Sequence, residues 1–422
     1  FMSSIQISPG SLSGAVSVPP SKSAVHRAIL CAAMAKGVST VAPVALSEDI
    51  EATMQCVQAL GADIRLHKQT LTIDGAGLFS KRDVLLDCGE SGSTLRFLIP
   101  IAAAGGVLAH FTGKGRLPRR PIGVYLDCLP PKGVSLKTQG GLPLTISGQL
   151  KSGSYHLPGN ISSQFITGLL LSLPLLDGDS EIILTSALES EGYIDMTLQT
   201  MRAFGVTAEK TTTGYMVKGR QRYLPNVNYV CEGDWSQAAF FMAAGTLGGN
   251  LKITGLDPCS VQGDRACLHL FKQFGASVRQ SGNAVTVTQG ALHAIDIDAR
   301  QIPDLVPILA VVAAFAKGKT VIYGAQRLRI KESDRLKAIC SGLQTLGANI
   351  TETDDGLVIQ GVPSLHGGTV QGYNDHRIVM ALSIAALNAS GPVVITDRES
   401  ICKSYPSFFE EYKRLGGNTK NL

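Results

Sequence analysis

Basic and hydroxyl-bearing residues cluster where strongly apolar segments begin. One apolar run begins within Ser21–Arg27, a segment that contains Lys22, Ser23 and Arg27. The next apolar run begins within Gly89–Arg96. If helices begin there, their unpaired backbone N–H groups and positive dipole ends favour anions. Guanidinium and ammonium groups nearby would add charge-assisted hydrogen bonds to phosphate or carboxylate. The pattern therefore indicates a site for small polyanions. Further such starts are Ser162–Gln164, Ile302–Asp304 and Asn374–Arg377.

Three other segments supply charge. Arg116–Pro121 is a basic turn stiffened by prolines, Lys331–Arg335 opens a half-exposed helix, and Cys402–Pro406 carries Lys403. Lys331 and Arg335 are four residues apart with like charge, which is unfavourable unless an anion lies between them. Each segment alone is also compatible with ordinary helix capping or a solvated loop. The recurrence of polar and charged segments at equivalent positions along the chain is what favours a binding site.

Two series of features repeat with one period. A helix followed by a glycine and two short strands recurs, with successive glycines 72, 72, 70, 72 and 69 residues apart. Each glycine suits a helix C-terminus in left-handed conformation. The strongly apolar, buried helices begin 70, 71, 72, 70 and 70 residues apart at a possible N-cap. The glycines are Gly61, Gly133, Gly205, Gly275, Gly347 and Gly416, and the starts lie near Ser21, Ser91, Ser162, Asp234, Asp304 and Asn374.

The repeat predicts an α/β (α+β) fold of six units, each with one buried helix, one half-exposed helix and about four strands. Six units favour two domains of three. The strand Ile5–Ile7 has no unit of its own and is assigned to the second domain. The predicted domains are residues 19–229, and residues 1–18 together with 230–422.

Composition excludes several classes of function. The chain has 422 residues, 44% hydrophobic and 17% charged, with a net charge of +5. This composition excludes a disordered protein. The sequence also contains no run of five or more basic residues, the pattern that indicates nucleic acid binding. Nine scattered cysteines without a Cys-x-x-Cys pair, and apolar runs interrupted by glycine, proline or polar residues, predict a cytoplasmic protein without a membrane span. Phosphate-loop, dinucleotide and zinc-helix motifs are missing from the sequence, so no cofactor and no metal are expected.

These segments, in this order along the whole chain, resemble 5-enolpyruvylshikimate-3-phosphate synthases, of the enolpyruvyl transferase family. The resemblance implies two inverse α/β barrel or prism domains of three βαβαββ units each, and a monomer. It implies transfer of the enolpyruvyl (carboxyvinyl) group of phosphoenolpyruvate to the 5-hydroxyl of shikimate 3-phosphate, by addition and elimination through a tetrahedral intermediate. Phosphate is released, in aromatic amino-acid biosynthesis. The segments that carry the resemblance are Lys22–Arg27, Ser91–Arg96, Arg120–Ile122, Ser162–Gln164, Lys331–Arg335, Asn374–Arg377 and Lys403.

The same resemblance implies ligands for both substrates. The residues that would hold shikimate 3-phosphate are Lys22, Ser23, Arg27, Ser162, Ser163, Gln164, Ser190, Tyr193, Asp304 and Lys331. Those that would hold phosphoenolpyruvate are Lys22, Gly92, Arg120, Gln164, Arg335, Arg377 and Lys403.

The implied reaction needs one group to take the hydroxyl proton and one to protonate the methylene carbon, with reverse transfers during elimination. The candidates are Asp304 for the hydroxyl and Glu332, together with Lys22, for the carbon. Because C–O rather than P–O bonds break, no magnesium is required. Closure of the domains would protect the cationic intermediate from water.

Three alternative functions fit the sequence less well. The UDP-N-acetylglucosamine 1-carboxyvinyltransferase of peptidoglycan synthesis usually presents a loop cysteine, whereas residues 114–120 contain none. An RNA 3′-phosphate cyclase would require a more basic surface. A catalytically inactive repeat scaffold predicts loss of the Lys, Arg, Asp and Glu set, all of which is present.

Overall fold

A computed structural model of the chain describes residues 3–422. The first two residues of the predicted range 1–18 lie outside the described residues. The chain divides into two compact units. The N-terminal unit is the continuous segment Pro20–Cys231, and the C-terminal unit combines the residues up to Pro19 with Glu232–Leu422.

Each unit contains three four-stranded sheets with one shared pattern: the first strand is parallel to the second, and the other neighbours are antiparallel. The sheets of the N-terminal unit are Tyr229–Val230, Val38–Ala42, Thr70–Asp74, Asp63–His67; Asp83–Asp87, Leu108–Thr112, Leu144–Gly148, Val134–Lys137; and Ser154–Leu157, Ser180–Leu184, Gly214–Val217, Glu209–Lys210. Those of the C-terminal unit are Ser13–Ser17, Asn250–Thr254, Ala284–Thr288, Ser277–Ser281; Asp296–Asp298, Lys319–Tyr323, Leu357–Gln360, Asn349–Glu352; and Gly368–Val370, Val393–Ile395, Ile5–Ile7, Thr419–Asn421.

Three of these sheets include a strand that is distant in sequence from its neighbours, namely Tyr229–Val230, Ser13–Ser17 and Ile5–Ile7. Tyr229–Val230 pairs with Val38–Ala42 and completes the first sheet of the N-terminal unit. Ile5–Ile7 lies between Val393–Ile395 and Thr419–Asn421 in the last sheet of the C-terminal unit. Backbone pairing therefore links the two ends of each unit.

Six apolar helices form the inner layer of the units. Val306–Ala313, for example, is buried at every position, because its residues are apolar around the whole circumference. The other layer is half exposed, as in Glu48–Ala59, where buried and exposed positions alternate with helical periodicity. Within residues 3–422 the helices are α1 Lys22–Met34, α2 Glu48–Ala59, α3 Gly92–Ala104, α4 Gly123–Cys128, α5 Ser163–Ser172, α6 Glu191–Ala203, α7 Trp235–Thr246, α8 Cys267–Phe274, α9 Val306–Ala313, α10 Arg335–Thr345, α11 His376–Ala385 and α12 Phe408–Arg414.

The predicted glycine positions are confirmed. All six have a positive φ, from 78° at Gly205 to 116° at Gly61. A side chain is disfavoured in that conformation, so glycine ends the helix and turns the chain towards the next strand. The α/β class with six repeated units is likewise confirmed.

Two helix starts differ from the prediction. The fifth buried helix begins with a 3₁₀ turn, Pro303–Leu305, that contains Asp304, and α9 follows from Val306. Pro303 and Pro307 lack the backbone N–H that a regular capped start would use, which favours this tighter opening. In the sixth, Asp375 rather than Asn374 is the N-cap, and Asn374 has a φ of 49°.

Buried apolar side chains form a separate cluster in each unit. The larger aromatic residues of the C-terminal unit, including Trp235, Phe240 and Phe408, belong to one of them. Among the residues that the structure describes, no helix is both long and apolar enough to cross a membrane.

Replacing Gly275 by alanine tests the glycine ends of the helices. An added Cβ would lie 2.1 Å from the backbone oxygen of Ala291, at a φ of 104°. We expect Gly275→Ala to lower the free energy of unfolding by about 3 kcal/mol, because the backbone must move as well as accept a left-handed side chain. Equilibrium urea unfolding measures this loss.

Two control substitutions distinguish the steric clash from the effect of the positive φ. At Gly416 the φ is 101° but the nearest atom is 3.7 Å away, so Gly416→Ala should cost only about 1 kcal/mol. Gly10 has no atom within 4 Å, and Gly10→Ala should change stability by less than about 0.5 kcal/mol. Equal losses at Gly275 and Gly416 would contradict the predicted clash.

Candidate active site

The start of α1 carries an ion pair. Ser21 caps the helix and accepts a hydrogen bond from the backbone N–H of Ala24 at 3.3 Å. The Nζ atom of Lys22 lies 2.5 Å from Oδ2 of Asp49, in the first turn of α2. The Lys22 side chain is only 18% exposed, so the carboxylate balances a cation that has lost most of its water.

Arg27 connects the starts of α1 and α6. Its Nη1 donates to the backbone oxygen of Ser23 at 2.8 Å, and its Nη2 to that of Tyr193 at 2.9 Å. The guanidinium also lies over the rings of Phe97 and Tyr193. Burial lowers the pKa of Arg27 to about 10, which still leaves it protonated at neutral pH. Three predicted ligands, Ser23, Arg27 and Tyr193, are therefore brought together.

Gly92, at the start of α3, lies against Arg120. A Cβ at position 92 would be 2.8 Å from the Cζ of Arg120, so only glycine leaves room for the guanidinium. Ser91 caps α3, and its Oγ accepts a hydrogen bond from the backbone N–H of Thr94 at 3.2 Å. The basic turn thus places one buried guanidinium against the start of α3.

Gln164, at the start of α5, is held by two side chains. Its Oε1 accepts from Nη1 of Arg96 at 2.6 Å, and its Nε2 donates to Oγ of Ser93 at 2.9 Å. Arg96 also donates to the backbone oxygen of Pro121 at 2.8 Å. One buried arginine therefore links Gln164 to the turn that carries Arg120.

Three predicted serines lie at the starts of two helices. Ser162 caps α5 and accepts from the backbone N–H of Gln164 at 3.3 Å, and Ser163 is the first residue of the helix. Ser190 precedes α6 in left-handed conformation, with a φ of 58°. A positive φ in a residue other than glycine marks local strain, of a kind concentrated at functional sites.

His26 is buried in the N-terminal unit. It is 1% exposed, and its Nδ1 forms a 2.8 Å hydrogen bond with Oγ1 of Thr53. Burial, followed by the charges of Lys22 and Arg27, lowers its pKa well below the usual value. His26 is therefore neutral at pH 7 and orients α1 against α2.

In the C-terminal unit, Asp304 contacts three cations. Its Oδ1 lies 2.9 Å from Nη1 of Arg335 and 3.8 Å from Nζ of Lys331, and its Oδ2 lies 3.3 Å from Nη2 of Arg377. Burial alone would raise the pKa of Asp304. The charges of Arg377, Lys331 and Arg335 outweigh it and hold that pKa well below the usual range.

Arg335 is the most buried of these cations, with 2% of its side chain exposed. Its Nε lies 2.8 Å from Oδ2 of Asp375, and its Nη2 lies 2.8 Å from Oε2 of Glu332. Burial would lower the pKa of Arg335, but Asp375, Glu332 and Asp304 together raise it. Three carboxylates thus surround one guanidinium and fix its direction.

Arg377 and Lys403 complete the network. Arg377 donates from Nη2 to Oγ of Ser236 at 3.1 Å, and from Nη1 to the backbone oxygen of Asp304 at 3.3 Å. Lys403 donates to the backbone oxygen of Asn374 at 2.6 Å. Both cations are buried at the start of α11.

The spacing of Lys331 and Arg335 has a structural explanation. Asp334 caps α10, so Lys331 precedes the helix instead of belonging to its first turn. Oδ1 of Asp304 lies between the two cations. The anion that the sequence required is therefore supplied by the protein.

Sequence reasoning missed three residues that support the site. Asp49 was indistinguishable from an acidic residue that complements a helix dipole, as Glu48 also does. Arg96 and Asp375 stand inside the segments that carried the resemblance, yet only the structure reveals their partners, Gln164 and Arg335.

A model of the family described as EPSP synthase (3-phosphoshikimate 1-carboxyvinyltransferase) matches residues 7–412. The chain belongs to the EPSP synthase family.

Individual relatives cover the full length. The 3-phosphoshikimate 1-carboxyvinyltransferase of Clostridium acetobutylicum is 46% identical over 423 residues, which is 99% of this chain and 98% of the relative. That of Clostridium novyi is 44% identical over 427 residues, with 99% and 98% covered. An EPSP synthase structure from Acinetobacter baumannii superposes with a TM-score of 0.82 at 29% identity, over 100% of both chains. The predicted resemblance is confirmed, and the family consists of transferases.

Proposed function

We propose that this member of the EPSP synthase family transfers the carboxyvinyl group of phosphoenolpyruvate to the 5-hydroxyl of shikimate 3-phosphate and releases phosphate. The observation that carries the proposal is the contact of Asp304 with Lys331, Arg335 and Arg377. Three clustered cations suit substrates that each bear a phosphate and a carboxylate. Membership of the family supports the same reaction.

The two units, on this proposal, are the two domains of the enzyme, and each supplies substrate ligands. For phosphoenolpyruvate, the contact between Gly92 and Arg120 supports a site at the start of α3. For shikimate 3-phosphate, the bonds of Arg27 to Ser23 and Tyr193 support a site at the starts of α1 and α6. The other proposed ligands are Lys22, Ser162, Ser163, Gln164, Ser190, Asp304, Lys331, Arg335, Arg377 and Lys403.

Asp304 is the proposed base for the attacking hydroxyl. Before substrate binds, its three cations keep it ionised but also make it a weak base. Anionic substrates compete with Asp304 for Arg335, Arg377 and Lys331. Loss of these partners raises the pKa of Asp304, so its basicity increases when the substrates are bound.

Glu332, with Lys22, is the proposed source of the carbon proton. Glu332 shares Arg335 with Asp304, through Nη2 and Nη1 respectively. The guanidinium therefore couples the two carboxylates electrostatically, and a proton on one favours charge on the other. Such coupling suits a reaction in which the protons move in one direction during addition and in the other during elimination.

A phosphate-release assay tests the reaction. With phosphoenolpyruvate as donor, we expect release in the presence of shikimate 3-phosphate and none with UDP-N-acetylglucosamine. RNA with a 3′-phosphate should not be cyclised. Release with the nucleotide sugar instead would contradict the proposal and favour the peptidoglycan reaction.

Asp304→Asn tests the base. We expect kcat to fall at least about 10²-fold, because the amide cannot accept the hydroxyl proton. Binding of shikimate 3-phosphate, measured by isothermal titration calorimetry, should persist, since the substitution preserves the size of the side chain. Near-normal turnover of the variant would make the base assignment wrong.

Gly92→Ala tests the phosphoenolpyruvate site. The new Cβ displaces the guanidinium of Arg120, so we expect KM for phosphoenolpyruvate to rise about tenfold or more, since a displaced charge-assisted contact costs at least about 1.5 kcal/mol. KM for shikimate 3-phosphate should change less. Gly123→Ala is the matched control, because no atom lies within 4 Å of a Cβ there. Equal effects of the two substitutions would count against the site.

A further inference from the structure

A buried carboxylic acid, Asp264, lies in the C-terminal unit beside the Asp304 network. It belongs to the 3₁₀ turn Gly263–Ala266, before α8. The preceding residue, Gln262, accepts from the backbone N–H of Trp235 at 3.0 Å and donates to the backbone oxygen of Gly233 at 2.9 Å. The turn is therefore fixed against the start of α7.

The same turn also approaches the segment that carries Asp304. A Cβ on Gly263 would lie 3.1 Å from the backbone oxygen of Gln301, just before the Pro303–Leu305 turn. The charged groups that act on the Asp264 carboxyl come from four elements: Asp304, Arg377 of α11, Asp234 at the cap of α7, and Lys331. Asp264 thus lies within the electrostatic field of the site without forming one of its ion pairs.

The Asp264 side chain is poorly suited to a negative charge. The residue is 4% exposed, and within the described chain its buried Oδ1 has no hydrogen-bond partner. An ionised carboxylate oxygen in that position would lose its water without gaining a hydrogen bond, whereas a neutral carboxyl loses less. Burial, then the charge of Asp304, raises the pKa of Asp264 to about 7, against the lowering effect of Arg377.

We propose that Asp264 is a positioning residue for the anionic substrates: neutral, it leaves Arg377 and Lys331 to Asp304 and the substrate, whereas ionised it competes with the substrate for both. This inference rests on the proposed function. A negative charge on Asp264 attracts Arg377 and opposes the approach of a second anion, so substrate binding weakens as Asp264 ionises. The chain therefore carries an intrinsic alkaline limit to substrate affinity.

Asp264→Asn removes the titration while preserving shape. We expect KM for phosphoenolpyruvate in the wild type to rise between pH 6 and 8.5 by at least about fivefold more than in the variant, with similar values at pH 6. The control is Asp296→Asn, which removes an exposed carboxylate from the same unit. It should follow the wild-type profile. A variant that keeps the full wild-type rise would overturn the proposal.

Thermal unfolding gives a second measurement that does not depend on turnover. Because the folded-state pKa of Asp264 lies above its unfolded value, the native state retains a proton that the unfolded chain has lost between about pH 4 and pH 7. Wild-type stability therefore falls with rising pH across this window relative to Asp264→Asn. The difference in Tm between the two proteins should grow up to about pH 7 and then stay constant.

The two measurements distinguish failure of the proposed function from failure of the inference about Asp264. If the wild type releases no phosphate from phosphoenolpyruvate, the proposed function is wrong, and the Tm series still tests Asp264. If turnover is normal but the Tm difference does not change with pH, Asp264 is ionised throughout, and the inference is wrong while the function stands.

Discussion

The pairing of buried or largely buried cations with carboxylates organises much of the polar structure of the chain. Arg335 is enclosed by Asp304, Glu332 and Asp375, and Lys22 is paired with Asp49. Removing one member of such a pair leaves an uncompensated charge in a low-dielectric site. The carboxylates therefore balance these cations within each unit.

The repeated unit determines where polar residues lie on the inner helices. The buried helices α1, α3, α5 and α11 begin with capped turns, and the first turn of each presents backbone N–H groups. The inner helices are apolar almost everywhere else, so their polar ends are the natural positions for function. Repetition of one unit thus creates several similar helix starts, whose polar residues differ from one repeat to the next.

Sequence reasoning reached the architecture because periodicity is a long-range signal. Gly205 and Gly347 could be recognised as helix ends because their spacing repeated, and the structure confirms their positive φ. Local geometry was harder to predict. The 3₁₀ opening at Pro303–Leu305 depends on proline stereochemistry inside a tight turn, which a capped-helix pattern does not describe.

Residues that act through other residues were the least predictable. Arg96 holds Gln164 from another helix, and the charge of Asp304 acts on Asp264, which lies 40 residues earlier in the sequence. Such pairs have no characteristic spacing, because they arise from tertiary packing. A buried Asp in a short turn resembles an ordinary helix start until its surroundings are known.

Pairing between strands that are distant in sequence limits the order in which the sheets can form during synthesis. Residues 20–231 contain every strand of their three sheets, with Tyr229–Val230 as the last to emerge from the ribosome. Ile5–Ile7 is synthesised long before Val393–Ile395 and Thr419–Asn421, its two neighbours in the sheet. It therefore remains without these partners while the intervening chain is translated, and the last sheet of the C-terminal unit can form only once Thr419–Asn421 has been made.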